Sequence, residues 1–214
     1  MKLSKQAVKD AMLLYAVTDR AWLRGETLSQ QVEKAIKGGA TCVQLREKNI
    51  SDDEFLSLAF QVKEVCAKYG VPFIVNDNVK VAIEVGADGV HIGQEDMGAA
   101  QARELIGPDM VLGVSAATVE QAKKAVADGA DCLGVGSVFT TSTKLDADAV
   151  SIDTLKEICA VCGVPVVAIG GINRTNVHKL SGSGVDGIAV VSAIFRADDI
   201  EAAAKELRHL AEKL

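Results

Sequence analysis

The segment QLREK, residues 44–48, ends a hydrophobic stretch with two basic side chains. In an extended chain alternate side chains share a face, so Gln44 and Arg46 lie together, with Lys48 following if the strand continues. An arginine binds a phosphate through two parallel hydrogen bonds, and a lysine binds it as a point charge. The pattern is typical either of a solvated turn or of an anion site, and in the second case Glu47 faces outward or tethers a neighbour.

Two carboxylates follow successive hydrophobic segments, Asp77 in VNDN and Asp96 in HIGQED. Such a pair near basic residues suits Mg2+, which takes one or two protein carboxylates plus substrate oxygens. The alternative is that each aspartate caps the helix that follows it, and Asp96 is well placed for this. We interpret His91, between them, as a hydrogen-bonded interior residue, because no second histidine is near it.

Two further segments carry groups that can hold a phosphate. In TTSTK, the hydroxyls of Thr141, Ser142 and Thr143 directly precede Lys144, so this loop can wrap and neutralise a phosphate or form a polar lid. In GGI and VVS, Gly171 permits close approach of a phosphate to backbone amides and Ser192 adds a hydroxyl. These segments predict a second anion site.

The elements that position these groups alternate along the chain. Eight short apolar segments with strand character are separated by amphipathic stretches with helical spacing. The segments are LLYAV at 13–17, CVQL at 42–45, PFIV at 72–75, GVHI at 89–92, VLGV at 111–114, CLGV at 132–135, PVVAI at 165–169 and GIAVV at 187–191. Glycines that can end a helix in the left-handed conformation occur at positions 38, 70, 86, 129 and 184.

This alternation predicts one α/β domain over residues 1–214, a (β/α)8 TIM barrel with a short N-terminal helix. A doubly wound open sheet is the rival, but eight units are present and no G-x-G-x-x-G opens a helix. In a barrel the carboxyl ends of the strands meet at one rim, where active sites are built. The polar groups above would therefore converge on one mouth.

Composition narrows the partners. The net charge of 23 − 29 = −6 argues against non-specific nucleic-acid binding. No 18-residue apolar run or signal-peptide core occurs, so we expect a cytoplasmic protein that binds small molecules and no membrane. The odd count of 5 cysteines favours reduced thiols, and Cys159 and Cys162 lack the partners of a zinc site. The sequence leaves open whether the protein forms a homo-oligomer.

The segments YAVTDR, VQLREKN, VNDN, VHIGQED, GVSAAT, TSTK, AIGGI and VVSAI, in this order, resemble thiamine-phosphate synthases. The resemblance spans residue 15 to about residue 195. It implies a (β/α)8 barrel that condenses 4-amino-2-methyl-5-hydroxymethylpyrimidine diphosphate with a thiazole or carboxythiazole phosphate, using Mg2+. The products would be thiamine phosphate and diphosphate, formed by dissociative loss of diphosphate and attack of the thiazole nitrogen.

The resemblance also assigns roles to residues. It implies that the pyrimidine diphosphate is bound by Gln44, Leu45, Arg46, Glu47, Lys48, Asn76, Ser115 and Lys144, with catalytic roles for Arg46, Lys48, Ser115 and Lys144. It implies that the thiazole phosphate is bound by Thr141, Ser142, Thr143, Gly171, Val191 and Ser192. It implies that Asp77 and Asp96 are the metal ligands.

Two other functions are compatible with a phosphate-binding barrel. Thiazole tautomerases resemble the synthases in fold but lack much of the diphosphate-binding apparatus, which this sequence keeps. A metabolite-binding barrel without catalysis would bind both substrates without turnover.

Overall fold

The computed structural model describes residues 3–140 and 149–214 and shows eight parallel strands closed into a barrel in the order β1 to β8. The strands are β1 (Leu14–Val17), β2 (Cys42–Leu45), β3 (Phe73–Asn76), β4 (Gly89–Ile92), β5 (Val111–Ala116), β6 (Cys132–Val135), β7 (Val166–Ile169) and β8 (Gly187–Val190). The predicted (β/α)8 barrel is confirmed. Thr141, Ser142, Thr143 and Lys144 lie outside the described residues.

Helices surround the barrel. They are α1 (Lys5–Ala11), α2 (Leu28–Lys37), α3 (Asp52–Tyr69), α4 (Val79–Val85), α5 (Ala99–Ile106), α6 (Val119–Ala127), α7 (Ile152–Cys162), α8 (Ser192–Phe195) and α9 (Ile200–Ala211). Short 3₁₀ turns occur at Arg20–Trp22 and Val177–Leu180. In the described part of the chain, no helix is long and apolar enough to cross a membrane.

The connection from β7 to β8 departs from the predicted repeat. This span is described in full, and its helical part is the 3₁₀ turn alone. The Asn173 side chain accepts hydrogen bonds from the backbone and hydroxyl of Thr175, and the Asn176 side chain accepts one from the Asn173 backbone. Such local bonds compete with helix formation, which explains the shorter element.

Three of the five predicted glycine stops, Gly70, Gly86 and Gly129, are confirmed, with two corrections. Gly184 lies four residues after the end of the 3₁₀ turn Val177–Leu180 and ends no helix. Gly70 and Gly86 end α3 and α4 in the left-handed conformation. Gly38 instead stays right-handed at φ −73°, and Gly39 takes the left-handed conformation at φ 104°. A Cβ at position 38 would lie 2.3 Å from the carbonyl oxygen of Glu201, so Gly38 allows α2 to pack closely on α9.

The core has two layers, which follow from the alternation of side chains along each strand. Val43 and Leu45 of β2 belong to the outer layer, between the strands and the helices. Cys42 belongs to the inner layer inside the barrel, which also contains Val8 and Met12 of α1 and its C-cap. The helix α1 therefore fills the amino-terminal end of the barrel, opposite the end where the predicted site residues lie.

Candidate active site at the carboxyl-terminal mouth

A cavity of about 150 Å³ opens at the carboxyl-terminal end of the barrel. All eight strands or the loops that follow them contribute to its wall. The lining residues are Tyr15, Val17, Gln44, Arg46, Asn76, His91, Ser115, Gly134, Gly136, Ser137, Val167, Ile169, Gly170, Gly171, Ile172, Ala189, Val190, Val191 and Ser192. The structure thus brings seven of the predicted residues to one cavity: Gln44, Arg46, Asn76, Ser115, Gly171, Val191 and Ser192.

The two basic residues after β2 lie at the rim. Arg46 is half-buried and lines the cavity, whereas Lys48 is exposed. Both are near enough to Asp77 for their positive charges to oppose the rise in its pKa. The backbone N–H of Arg46 donates to the hydroxyl of Thr18 over 3.1 Å, which ties this turn to the end of β1. Two cations therefore lie near a carboxylate at the same side of the mouth.

The side chains of Leu45 and Glu47 do not line this cavity. Leu45 is fully buried in the outer core layer, so the backbone is the part of this residue that can meet a ligand. Glu47 accepts a hydrogen bond of 2.7 Å from Nε of Arg20, in the 3₁₀ turn after β1. This pair agrees with the interpretation that Glu47 tethers a neighbour. No local sequence pattern indicates its partner, because Arg20 is 27 residues away.

Asp77 and Asp96 come together after β3 and β4. Their carboxyl groups are hydrogen-bonded to each other, and Asp96 also accepts a bond of 2.7 Å from the backbone of Gly93. The alternative role as helix caps is wrong, because Asn78 caps α4 and Gly98 precedes α5 without a side-chain cap. Asp77 adopts a left-handed backbone at φ 61°, a conformation that aspartate tolerates better than most residues.

The pKa of Asp77 is raised to about 6 from its ordinary value of 3.8. Burial is the largest cause, followed by the hydrogen bond to Asp96 and the negative charge of that residue, while Lys48 and Arg46 act in the opposite direction. Two carboxyl groups held this close cannot both ionise without cost. A divalent cation between them would remove that cost, so the donor set fits Mg2+, which needs one or two protein carboxylates.

The imidazole ring of His91 lies at the floor of the cavity and packs against two glycines. Nε2 of His91 lies 3.1 Å from the hydroxyl of Ser115, which agrees with the expected hydrogen-bonded interior histidine. A Cβ at Gly113 would lie 2.4 Å from His91, and one at Gly134 would lie 3.0 Å from it. These glycines give the ring its space, and the ring in turn positions Ser115.

A second polar contact inside the barrel was missed at the sequence level. Nε2 of Gln44 donates to the hydroxyl of Tyr15 over 3.0 Å, and both side chains are buried. Tyr15 begins the YAVTDR segment, and strand alternation could have placed it inside the barrel.

The backbone after β7 approaches the cavity at Gly170 and Gly171, which have φ values of 102° and 64°. A Cβ at Gly170 would lie 2.1 Å from the hydroxyl of Ser137, and one at Gly171 would lie 2.4 Å from the carbonyl oxygen of Thr140. The absence of a side chain at Gly171 therefore allows two loops to pack closely. Ser192 follows the neighbouring strand β8, at the first turn of α8.

A closed (β/α)8 barrel whose polar cavity is flanked by cations and a carboxylate pair defines a barrel enzyme with its site at the carboxyl-terminal mouth. The family model described as thiamine monophosphate synthase matches residues 14–194. A thiamine-phosphate synthase of Clostridium tetani is 52% identical over 194 residues, which are 91% of this chain and 93% of the relative. The chain therefore belongs to the thiamine monophosphate synthase family and is a transferase of thiamine biosynthesis.

Solved structures agree with this assignment. Thiamine phosphate pyrophosphorylase from Pyrococcus furiosus superposes with a TM-score of 0.88 at 40% identity, covering 96% of this chain and 98% of that one. A 3-hexulose-6-phosphate synthase superposes with a TM-score of 0.67 at 20% identity, covering 93% of this chain and 99% of that one, and shows the shared fold alone.

Proposed function

We propose that the chain condenses 4-amino-2-methyl-5-hydroxymethylpyrimidine diphosphate with a thiazole phosphate, or its carboxylated form, to give thiamine phosphate and diphosphate. The carboxylated form would in addition lose CO2. The observation that carries this proposal is the grouping of Arg46 and Lys48 with the Asp77–Asp96 pair at one side of the mouth. Cations beside a metal-competent carboxylate pair are what a diphosphate leaving group requires. Membership of the synthase family supports the same reaction.

The metal site would be formed by Asp77 and Asp96. When bound there, Mg2+ would supply positive charge to the diphosphate oxygens. The bond from Gly93 to Asp96 and the left-handed backbone of Asp77 hold the two carboxylates toward each other. The protein thereby offers two ligands and leaves the remaining positions to water and substrate.

The pyrimidine ring would occupy the deeper part of the cavity. Gln44, Asn76 and Ser115 present polar groups there from three different strands, and each lines the cavity. Val17 and Ile169 form apolar parts of the cavity wall. A flat ring that carries an amine and ring nitrogens matches a pocket with a few placed polar groups between apolar walls.

The reaction would begin with cleavage of the carbon–oxygen bond of the pyrimidine methylene, and the electron pair would leave with the diphosphate. The aminopyrimidine spreads the resulting positive charge, and the lone pair of the thiazole nitrogen then forms the new carbon–nitrogen bond. Bond formation needs no general base. Arg46 and Lys48 would neutralise the leaving group, and the cavity would align the two partners. We propose the same role for Lys144 and a contact to the diphosphate for Ser115.

The thiazole phosphate would bind on the opposite side of the mouth. Gly170 and Gly171 bring bare backbone to the cavity wall, and Val191 and Ser192 line it at the start of α8. We propose that these amides and the Ser192 hydroxyl hold the phosphate, with Thr141, Ser142 and Thr143 contributing from the loop after β6. We also propose a cytoplasmic location, which the free state of all five cysteines supports.

One assay tests the proposal. Purified protein is mixed with both substrates and Mg2+, and release of diphosphate and formation of thiamine phosphate are measured together. Each substrate alone should release no diphosphate. Binding of both substrates with no turnover would contradict the proposal, and so would interconversion of thiazole isomers without diphosphate release.

A further inference from the structure

The amide of Gln44 has a defined direction inside the barrel. Its Nε2 atom lies 3.0 Å from the oxygen of Tyr15, and the exposed fractions of the two residues are 5% and 2%. The thiol of Cys42, two residues before Gln44 on β2, also interacts with the Tyr15 hydroxyl. Three side chains therefore form a short buried relay beneath the cavity.

Which group donates and which accepts in this relay follows from the number of protons that each group can donate. A phenol hydroxyl has one proton to donate and can also accept, whereas a primary amide donates through nitrogen and accepts through oxygen. When Tyr15 donates to the sulfur of Cys42, its oxygen accepts from Nε2 of Gln44, and both capacities of the hydroxyl are used. The amide nitrogen is then anchored toward Tyr15.

The carbonyl oxygen of Gln44 is left for the cavity. Within residues 3–140 and 149–214, no group donates a hydrogen bond to this oxygen, and the atom is not sealed in the protein interior. Gln44 lines the cavity, so the oxygen is presented to whatever binds there. The floor of the pocket therefore offers a hydrogen-bond acceptor at this position.

We propose that Tyr15 and Cys42 are positioning residues that hold the Gln44 carbonyl toward the cavity, so that the pocket selects a pyrimidine carrying an N–H donor over one carrying a carbonyl. If the ring carried a carbonyl at this position, its oxygen would face the Gln44 oxygen. Two buried acceptors would then meet without a hydrogen-bond donor between them. This inference rests on the proposed function, because it takes the pyrimidine ring to lie against Gln44.

The test uses two non-reacting pyrimidine diphosphates, one with an amine at ring position 4 and the other with a carbonyl there and the accompanying proton on a ring nitrogen. In both, a methylene group replaces the oxygen that would leave. Calorimetric titration with Mg2+ and without thiazole phosphate gives the ratio of the two dissociation constants. Wild-type protein should prefer the amine by about a hundredfold, since a site built to bond one group rejects its mismatch strongly.

Removal of the anchor should reduce this preference. Tyr15→Phe keeps the ring and removes the hydroxyl, so the amide can rotate, and the ratio should fall about tenfold. Affinity for inorganic diphosphate should not change, which separates loss of orientation from general damage. Tyr69→Phe is the matched control, because Tyr69 donates to Glu33 at the surface, and the ratio should stay at the wild-type value.

Two more variants test the direction of the relay. In Cys42→Ala the Tyr15 proton loses its sulfur acceptor and turns to the Gln44 oxygen, so the preference should also fall or reverse. In Tyr15→Phe with Gln44→Glu, both carboxylate oxygens are acceptors and need no orientation, so the preference for the amine should return. If Tyr15→Phe does not fold, Cys42→Ala decides the question.

The outcomes separate the two proposals. Equal affinity of wild-type protein for both analogues, in a protein that releases diphosphate from its substrates, would overturn the orientation and leave the reaction intact. Full preference in both Tyr15→Phe and Cys42→Ala would do the same. If wild-type protein binds neither analogue and releases no diphosphate, the proposed function fails, and this inference fails with it.

Discussion

Nε of Arg20 lies 2.7 Å from Oε2 of Glu47, and Nη1 of the same guanidinium lies 2.8 Å from Oε1 of Glu54. The Glu47 side chain is only 5% exposed, and burial raises its pKa while Arg20 opposes that rise. Glu47 stands between Arg46 and Lys48 in the chain. The ion pair therefore holds the turn from which both cations reach the cavity mouth.

We expect Arg20→Ala to lower kcat/KM about tenfold, mainly by raising KM for the pyrimidine diphosphate. The reason is that the buried Glu47 carboxylate loses its partner, and the turn that carries Arg46 loses the ion pair that holds it in place. Steady-state kinetics give the measurement. Arg24→Ala is the control, because Arg24 pairs with Asp198 at the exposed surface. Equal effects of the two substitutions would contradict a specific role for Arg20.

Arg46→Ala should reduce kcat by about a hundredfold or more, as expected for loss of a charge that stabilises a leaving group. Lys48→Ala should act in the same direction with a smaller effect, because Lys48 is exposed and its charge is screened by solvent. Lys144→Ala should also reduce turnover strongly. Lys124→Ala, which removes a surface pair with Asp128, is the control. Unchanged circular dichroism should accompany the losses, and near-wild-type rates for both Arg46 and Lys144 variants would exclude the proposed diphosphate site.

Activity should require a divalent cation bound through Asp77 and Asp96. Protein treated with EDTA should be inactive and should recover with Mg2+. The double substitution Asp77→Ala with Asp96→Ala should abolish both activity and the thermal stabilisation that Mg2+ gives to the wild-type protein. Full turnover in the metal-free protein or in the double variant would contradict this assignment.

The raised pKa of Asp77 should make the stability of metal-free protein depend on pH. The folded state holds this proton up to pH about 6, whereas the unfolded chain releases it near 3.8. Between these values the unfolded state binds fewer protons, so the free energy of unfolding should fall as pH rises. Denaturant titrations at pH 4, 5, 6 and 7 should show this fall in wild-type protein and a smaller one in Asp77→Asn. Identical pH profiles would contradict the raised pKa.

Ser192→Ala should weaken binding of thiazole phosphate several-fold and leave binding of the pyrimidine diphosphate unchanged, because it removes one hydroxyl at one side of the mouth. Gly171→Val should be less selective than Ser192→Ala. A side chain there would meet the carbonyl oxygens of Thr140 and Phe139, so it should shift the loop after β6 and weaken both ligands. Separate titrations of each ligand give the measurement, and selective loss in Gly171→Val would show that the loop adapts.

Much of the site followed from strand alternation. Eight apolar segments predicted the barrel, and the rule that strand ends meet at one rim placed Gln44, Arg46, Asn76 and Ser115 together. The same alternation predicts that Leu45, the last residue of β2, points into the outer core. It could not show that Glu47 points toward Arg20, because the strand has ended before Glu47. Beyond the last strand residue, the direction of a side chain depends on the turn and on distant partners.

The aspartates illustrate the second limit. From sequence alone, Asp77 and Asp96 could cap helices or face each other, because both roles use an aspartate after a strand. The difference lies in where each helix begins: Asn78 took the cap of α4, and Gly98 precedes α5. Likewise, the close fit of Gly171 against Thr140 depends on two loops whose approach no local pattern encodes.

The position of helix α1 bears on the order in which the two substrates bind. It fills the amino-terminal end of the barrel with Val8, Ala11 and Met12, which pack against the inner layer below Tyr15 and Cys42. Ligands therefore reach the cavity through the carboxyl-terminal mouth. In the proposed reaction, a pyrimidine that rests on Gln44 near the floor would arrive before a thiazole phosphate seated at the rim, and the joined product would depart before the next pyrimidine enters. A cavity that is entered from the carboxyl-terminal end would favour ordered binding of the two substrates over random binding.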